Sequence, residues 1–492
     1  NFEQVTAMAP QTVLRWMKAS PQTTFIITSR ERLAVRGEFV LEVAPLGPSA
    51  GAELFRDRAR LADPSWIDRD PGLIEELVRR LDGLPLAIEL AAARVRVLAP
   101  AQILERLDQR FRLLRGRKGD DKRRATMEGA IDWSWELLSD EERTALAELS
   151  VLRGGFTMEA AEAVVGTETA LEVVQSLQEK SLLRALPDAV AHRLRLALYE
   201  SVREYAAARL PPQSEAASRH ASWFAEFGTV DALHQLRGPD SVVRHQALVA
   251  ERANLFDAAE WAISNGQAEI AANALIAVLQ ILVLNGPAVA GRALSDQVLA
   301  MDLAPLTRAR VLIAWARAWH NGSPAERPVA AIEEALAIGR AEGHPWIVAS
   351  ALMGSSLTHK MLGRTTEASE CLDQCLAVAR AHGLEHVVSN TLGAMGNLAS
   401  QQGAPDEAIL LYRQALVLAI QHGNLRFQGM IYGNLATQAL RKGEFDEAWG
   451  LFDRALQIAI DCGDRITEGM IMECFGNVLR QRGDLAGAAE HY

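Results

Sequence analysis

Four glycines, Gly363, Gly403, Gly443 and Gly483, recur at steps of 40 residues, and a second set, Gly343, Gly383, Gly423 and Gly463, keeps the same step. Ala368, Ala408, Ala448 and Ala488 hold a third register with that period. Three coincident registers mean that one supersecondary unit is built repeatedly. Such a unit cannot bury its apolar face alone, so neighbouring units must stack. Each unit reads as two helices. The first carries a small residue (Ser356, Gly396, Ala436, Gly476) seven positions before a turn glycine. The second carries the alanine and, four residues later, a bulky apolar residue (Leu372, Tyr412, Phe452, Tyr492). Small residues let paired helices approach, and the bulky one fills the space between units.

This pattern resembles tetratricopeptide repeats, lengthened from their usual ~34 residues. An earlier unit, Ala309 to Gly343, fits less well, with Pro328 at the alanine position. The resemblance implies a superhelix with the first helices along an inner groove, and Lys360, Asn390, Asn397, Thr437, Asn477 and Arg480 as candidate groove residues for a protein or small-molecule signal. Polar side chains on an inner face also serve simply to solvate it. The last repeat breaks off at Tyr492, and an uncapped array end is expected to fray or to stick to neighbours.

Upstream of the repeats, Leu73, Ile74, Leu77, Val78 and Leu81 recur on one helical face, which predicts an amphipathic helix over 72–81. Gly83 suits a left-handed helix stop, and Pro85 suits the first turn of a following helix, where its missing N–H is harmless. On these residues alone, Gly83 to Ala87 (GLPLA) is a helix corner. Thr23 to Thr28 (TTFIIT) and Phe39 to Val43 (FVLEV) read as short strands of a parallel sheet. Ala44-Pro45-Leu46 then leads into a helix from about Ser49 to Leu61. Arg30 follows the first of these strands at its carboxyl end, where open α/β sheets place ligands.

The order strand, Thr-Ser-Arg, strand, Pro-Leu, helices and GLPLA resembles the second half of the NB-ARC-type module of STAND ATPases, as found in large bacterial LuxR-type and SARP-type regulators. The resemblance implies that Arg30 faces a terminal phosphate as the sensor arginine and that Gly83, Leu84 and Pro85 line an adenine pocket. A guanidinium fits the first role because it stays charged and offers a rigid donor fork. Asn1-Phe2-Glu3 resembles the residues that follow a Walker B aspartate, and no Gly-x-x-x-x-Gly-Lys-Ser/Thr occurs in the 492 residues. The expectation is a fragment that begins just after Walker B. ATP or ADP with Mg would then bind the intact parent, while the fragment alone neither binds nucleotide tightly nor hydrolyses it; no catalytic residue is assigned.

A capping box at Ser139-Asp140-Glu141-Glu142 opens a helix to about Leu149, preceded by a helix through Ile131 to Trp135. Helices at about Thr157 to Val165 and Thr169 to Lys180 follow, and Ser181 to Ala185 with Arg193 to Ala197 could form a hairpin wing. Segments such as AIDWSWELLSDEER and ESVREYAAARL resemble the winged-helix domain of the same regulators, generally an internal clamp there. Where NB-ARC proteins carry Met-His-Asp, this chain has Leu198, Tyr199 and Glu200, which puts the usual histidine contact to the diphosphate in doubt. Trp133 and Trp135 read as core.

The fold expected is mainly α: a partial α/β P-loop NTPase remnant (1–47), a helical lid with GLPLA (48–115), a winged-helix-like domain (116–212), a helical connector (213–308) and a tetratricopeptide α-α superhelix (309–492). A net charge of −11 disfavours nonspecific nucleic-acid binding, so DNA would be reached only through an output domain outside this chain. Arg110 to Arg124 is basic but interrupted by Asp120 and Asp121, as a solvated linker would be. Four cysteines in this length argue against a disulfide framework, and Cys371 and Cys375, one helical turn apart, lack metal-ligand company. No metal site is expected. The apolar run Ile270 to Leu284, broken by Asn273 and Gln280, is too short to span a bilayer and reads as a buried repeat helix. A cytoplasmic location follows as expectation. The favoured function is the sensor and switch portion of a STAND-type regulator that can self-assemble in its parent form. The alternative is a tetratricopeptide scaffold with a non-catalytic ATPase remnant.

Overall fold

The computed structural model describes residues 8–491 except 21, 30, 31, 34, 42, 65, 106–126, 187–193, 287–290 and 320–325. The chain divides into two compact units, Asn1–Asp188 with Arg193–Ala217, and Ala189–His192 with Ser218–Tyr492. Helices dominate both, and the one sheet among the described residues has two strands.

In the first unit the helix Ala9–Ala19 precedes a long irregular stretch. The two strands expected at Thr23 to Thr28 and Phe39 to Val43 do not form among the described residues: Ile26, Phe39, Leu41 and Val43 are largely exposed, and none of the described positions there is in a strand. A strand of a parallel sheet needs hydrogen-bonded neighbours and apolar cover on both faces, and no described element supplies them. The mainly α fold stands, with these two segments unpaired as strands among the described residues.

Helices Pro48–Ala62, Pro71–Arg80 and Pro85–Ala92 pack into the lid, followed by the 3-10 turn Ala93–Arg96 and the helix Pro100–Glu105. Phe55, Ile74, Leu77, Val78, Leu81 and Ile88 are fully buried in its core. Each such side chain contributes about 2 kcal/mol of burial. Asp70 caps the second of these helices through its carboxylate, which accepts Leu73 N–H at 3.1 Å.

Helices Met127–Glu136, Asp140–Leu149, Met158–Val165 and Ala170–Glu179 then lead to the antiparallel strands β1 (Leu183–Leu186) and β2 (Arg195–Leu198). Phe156 bridges to Leu196, adding a third short edge to this wing. The capping box forms as expected, with Ser139 Oγ accepting Glu142 N–H at 3.2 Å and Glu142 accepting Ser139 N–H at 2.7 Å. Helix Glu200–Ala207 returns from the wing and inserts Tyr205 into the lid core beside Ile131. Trp135 meets Tyr205 edge-on at 5.7 Å, so this tryptophan is a packing residue. The Trp133 side chain and the basic stretch Arg110 to Arg124 lie outside the described residues.

The second unit begins within the helix Ala216–Ala225, followed by the 3-10 turn Glu226–Gly228 and helices Val230–Gln235, Ser241–Ala250, Arg252–Ser264, Ala268–Asn285 and Arg292–Leu299. Ala268–Asn285 is the expected buried helix, and no described helix is long and apolar enough to cross a membrane. Helical pairs follow: Pro305–Trp319 with Glu326–Ala341, Pro345–Met361 with Thr365–Ala381, Glu385–Gln401 with Pro405–Gln421, Leu425–Lys442 with Phe445–Cys462, and Arg465–Arg482 with Leu485–His491. All eight periodic glycines have φ between +60° and +88°, so the period marks left-handed helix stops. The periodic alanines are buried at the crossings. At Gly396 a Cβ would stand 2.6 Å from the Tyr412 ring, and this is the close approach that the small-and-bulky pattern requires. Tyr492, the last bulky position, lies outside the described residues.

Candidate functional site

The GLPLA corner is shaped by two consecutive left-handed residues, Asp82 (φ 57°) and Gly83 (φ 64°). An aspartate tolerates this conformation better than most residues, and a glycine tolerates it freely. Leu46 N–H donates to Gly83 O at 3.0 Å, and a Cβ on residue 83 would collide with Leu46 O. The glycine therefore permits a backbone-to-backbone contact between the Ala44-Pro45-Leu46 segment and the corner. Leu84 is the N-cap of Pro85–Ala92 and packs partly on the lid core, while Pro85 at the first helical position is exposed.

Asp82, which the sequence did not single out, is largely buried and accepts Ser201 N–H at 3.2 Å. Ser201 lies in the first turn of Glu200–Ala207, where free N–H groups and the helix dipole favour a carboxylate. One corner thus touches the segment before the lid and the helix after the wing. Tyr199, where the NB-ARC resemblance would expect a histidine, is the N-cap of that helix, with the Arg184 guanidinium 5.3 Å from its ring centroid. Gly83, Leu84 and Pro85 come together in this corner; Arg30 lies outside the described residues.

In the second unit, the first helix of each repeat from Pro305–Trp319 to Arg465–Arg482 also touches the first helix of the next, and these helices line the inner face. Asn397 is a junction there: its Oδ1 accepts Tyr412 O–H at 2.7 Å and Asn434 Nδ2–H at 2.9 Å. Burial pushes the Tyr412 phenol up to about 12, so it remains a donor at any physiological pH. Thr437 Oγ donates back to Gly433 O at 2.9 Å, and Asn477 Oδ1 accepts from Arg480 at 3.1 Å. Lys360 is partly buried, and desolvation holds its ammonium below the usual lysine range. Asn390 is half-buried and Arg480 exposed. Of these candidates, Asn397 is the one bound up in the inter-helix hydrogen bonds described above.

Residues that sequence reasoning passed over gather elsewhere on this unit. The His234 ring stands edge-on to His386, with centroids 5.7 Å apart. Arg426 donates to Asp464 through Nε at 3.0 Å and Nη2 at 2.9 Å, and His422 pairs with Glu385 at 2.7 Å. Burial, with Arg237, His234 and His422 nearby, pushes His386 down to about 4. A usable signal existed for two of these residues: Arg426 follows His386 by one 40-residue period. Cys375 is a buried core thiol that meets Thr391 Oγ at 3.2 Å, and no group of metal-binding side chains occurs among the described residues.

Residues 347–421 match the tetratricopeptide repeat family, and the C-terminal array is a tetratricopeptide-repeat array. Among curated proteins, the chain is 33% identical over 384 residues to a Mycobacterium bovis protein provisionally named an HTH-type transcriptional regulator, covering 72% of this chain and 42% of that one. A Mycobacterium tuberculosis counterpart with the same provisional name matches equally. An uncharacterized Mycobacterium bovis protein is 38% identical over 208 residues, 41% of this chain and 53% of its own length. The chain thus spans less than half the length of the regulators it matches. Among solved structures, it is similar to a Pyrococcus horikoshii STAND protein with a tetratricopeptide repeat sensor, at TM-score 0.41 and 15% identity over 93% of this chain and 67% of that one.

Proposed function

We propose that this chain is the sensor and switch portion of a STAND-type signal-transduction ATPase belonging to a transcriptional regulator. The repeats take up a signal, the winged-helix block relays it, and the GLPLA corner couples it to nucleotide. The observation that carries the reading is the double attachment of that corner, through Gly83 to Leu46 and through Asp82 to Ser201. Any change in what Gly83, Leu84 and Pro85 contact is thereby felt by the helix that follows the wing. A signal can act only by binding one of two nucleotide-linked conformations better than the other. The provisional naming of the mycobacterial relatives supports the regulatory side of the reading. In this reading the lid supplies the base-side contact, and ATP or ADP with Mg would be held in the whole protein together with a phosphate-binding loop, a motif that does not occur in these 492 residues. DNA would be engaged by a domain elsewhere in that protein.

The test is nucleotide binding by the whole protein, followed with a fluorescent ATP analogue. Arg30→Ala should weaken binding by removing a phosphate contact, and Pro85→Ala by altering the adenine side. Affinity unchanged in both variants would overturn the reading and leave the repeats as a protein-binding scaffold.

A further inference from the structure

The connector at the start of the second unit folds back onto the last repeats of the same unit. Its corner, formed by Val230–Gln235 and Ser241–Ala250, reaches three consecutive junctions between repeats. At the first, the exposed His234 ring stands edge-on to His386, in the first turn of Glu385–Gln401, with centroids 5.7 Å apart. At the second, a Cβ on Gly423 would stand 3.0 Å from the Pro239 backbone. At the third, Gln246 Nε2–H donates to Asp461 O at 2.7 Å, near the end of Phe445–Cys462. Helix Ser241–Ala250 accordingly packs on both Leu425–Lys442 and Phe445–Cys462, and Ala268–Asn285 touches Arg465–Arg482.

Gly423 differs from the other periodic glycines. All eight share the left-handed backbone, yet at the other seven an added Cβ meets open space. The period therefore accounts for the conformation of residue 423 but not for its close neighbour, which comes from the connector. Such a contact has a mechanical consequence. Repeats that touch only their neighbours leave the curvature of a solenoid to the sum of small rotations at each junction. The connector spans three junctions at once, and its contacts are met together at one curvature only. They are a ring edge, a glycine–proline approach and a side-chain-to-backbone hydrogen bond, with His234 and Pro239 both exposed. Contacts at a solvent-exposed rim open locally at far lower cost than unfolding of the array.

We propose that residues 230–250 form an autoinhibitory clasp, closed in this structure, that locks the repeat array at one curvature and is released by a ligand whose binding to the inner face favours another. The chain passes through this connector between the first unit and the repeats, so release frees the segment that tethers the array. The signalling role of the release rests on the function proposed above, whereas the clasp itself needs no nucleotide and stands if that reading falls.

Hydrogen–deuterium exchange and small-angle X-ray scattering are measured on the 492-residue chain without nucleotide. Gly423→Ala drives a methyl against Pro239, whereas Gly343→Ala imposes similar left-handed strain in the same register, with φ of 60° against 68°, and meets open space. The expected result is at least tenfold faster exchange of the Ser241–Ala250 amides in Gly423→Ala and near wild-type rates for them in Gly343→Ala. The radius of gyration should rise in Gly423→Ala alone. Amides of Thr365–Ala381 should exchange alike in wild type and Gly423→Ala, which separates clasp opening from unfolding of the array. Gln246→Ala strains no turn and should speed the Ser241–Ala250 amides about fivefold, the worth of one hydrogen bond. The proposal is overturned by equal Ser241–Ala250 exchange in Gly423→Ala and Gly343→Ala with wild-type rates in Gln246→Ala, by acceleration spread evenly over the repeat unit, or by a wild-type radius of gyration in Gly423→Ala.

Discussion

The Asp82 carboxylate accepts the backbone N–H of Ser201 at 3.2 Å across 119 positions of sequence, joining the turn before GLPLA to the first turn of the helix after the wing. Charge, helix dipole and an otherwise free N–H all favour this contact. Asp82→Ala should therefore destabilise the first unit by about 2 kcal/mol, the range for a hydrogen bond to a charged group. Asp82→Asn keeps a side chain that tolerates a left-handed backbone and should cost roughly half as much. Urea unfolding of both variants checks this; an Asp82→Ala protein as stable as wild type would show the contact to be energetically idle.

Gly83 and Gly403 have similar backbones, with φ of 64° and 79°, but different surroundings. A Cβ at 403 meets open space, whereas at 83 it meets Leu46 O. Gly403→Ala should cost about 1 kcal/mol for the left-handed conformation alone. Gly83→Ala must also displace the Leu46 contact and should cost about 3 kcal/mol in all. Equal losses by chemical denaturation would mean that the Leu46 segment adapts freely.

These two glycines also mark what sequence can disclose. The stop at Gly403 was legible because a left-handed residue between helices needs glycine and the period repeats that need. At Gly83 the stop was legible but its second role was not, since Leu46 lies far away in the chain. The runs Thr23 to Thr28 and Phe39 to Val43 have strand-forming composition, yet strand formation depends on partners, which composition does not contain. Among the groove candidates, polar type and register led to Asn397, whose bonds to Tyr412 and Asn434 are structural. The contact of His234 with His386 stayed hidden because His234 belongs to the connector and shares no period with the repeats.

Gly396 and Tyr412 test the packing logic of the array directly. Gly396→Ala should destabilise the second unit by about 2 kcal/mol through overpacking against the ring. Tyr412→Leu alone should cost about 3 kcal/mol, because it opens space and removes the donor to Asn397. Combined, the two should be less damaging than their sum by at least about 1 kcal/mol, since the added methyl then enters vacated volume. Strict additivity in a double-mutant cycle would argue that the helices do not approach at this point.

Glu142 ties the capping box to the helix Ala170–Glu179, accepting Lys180 Nζ–H at 2.6 Å and Ser176 Oγ–H at 2.5 Å. Burial alone would raise its pKa, but the bonds from Lys180, Ser176 and Ser139 N–H outweigh burial and hold it below 4.5. A carboxylate depressed in the folded state adds stability that is complete above its unfolded value and is lost as pH falls through the folded value. Glu142→Gln should therefore cost about 2 kcal/mol at pH 7 and progressively less below pH 4. A stability deficit independent of pH would assign the residue a packing role only.

His386 has the opposite charge and a higher window. Its imidazole is pushed down from 6.5 to about 4, first by burial and then by Arg237, His234 and His422. Folding therefore favours the neutral ring. Between pH 6.5 and 4 the unfolded chain binds a proton at this position that the folded chain does not, so stability must fall as pH falls across that interval. His245 is also lowered by burial and contributes in the same direction, so the wild-type slope belongs to both residues. His386→Asn removes one of them and should flatten the stability profile between pH 6.5 and 4 while leaving the acid loss due to Glu142 in place. Urea midpoints of wild type and His386→Asn, measured at half-unit steps from pH 7.5 to 4, give the comparison. Parallel profiles would mean that His386 protonates freely in the folded array, which its buried Nε2 and the nearby Arg237 oppose.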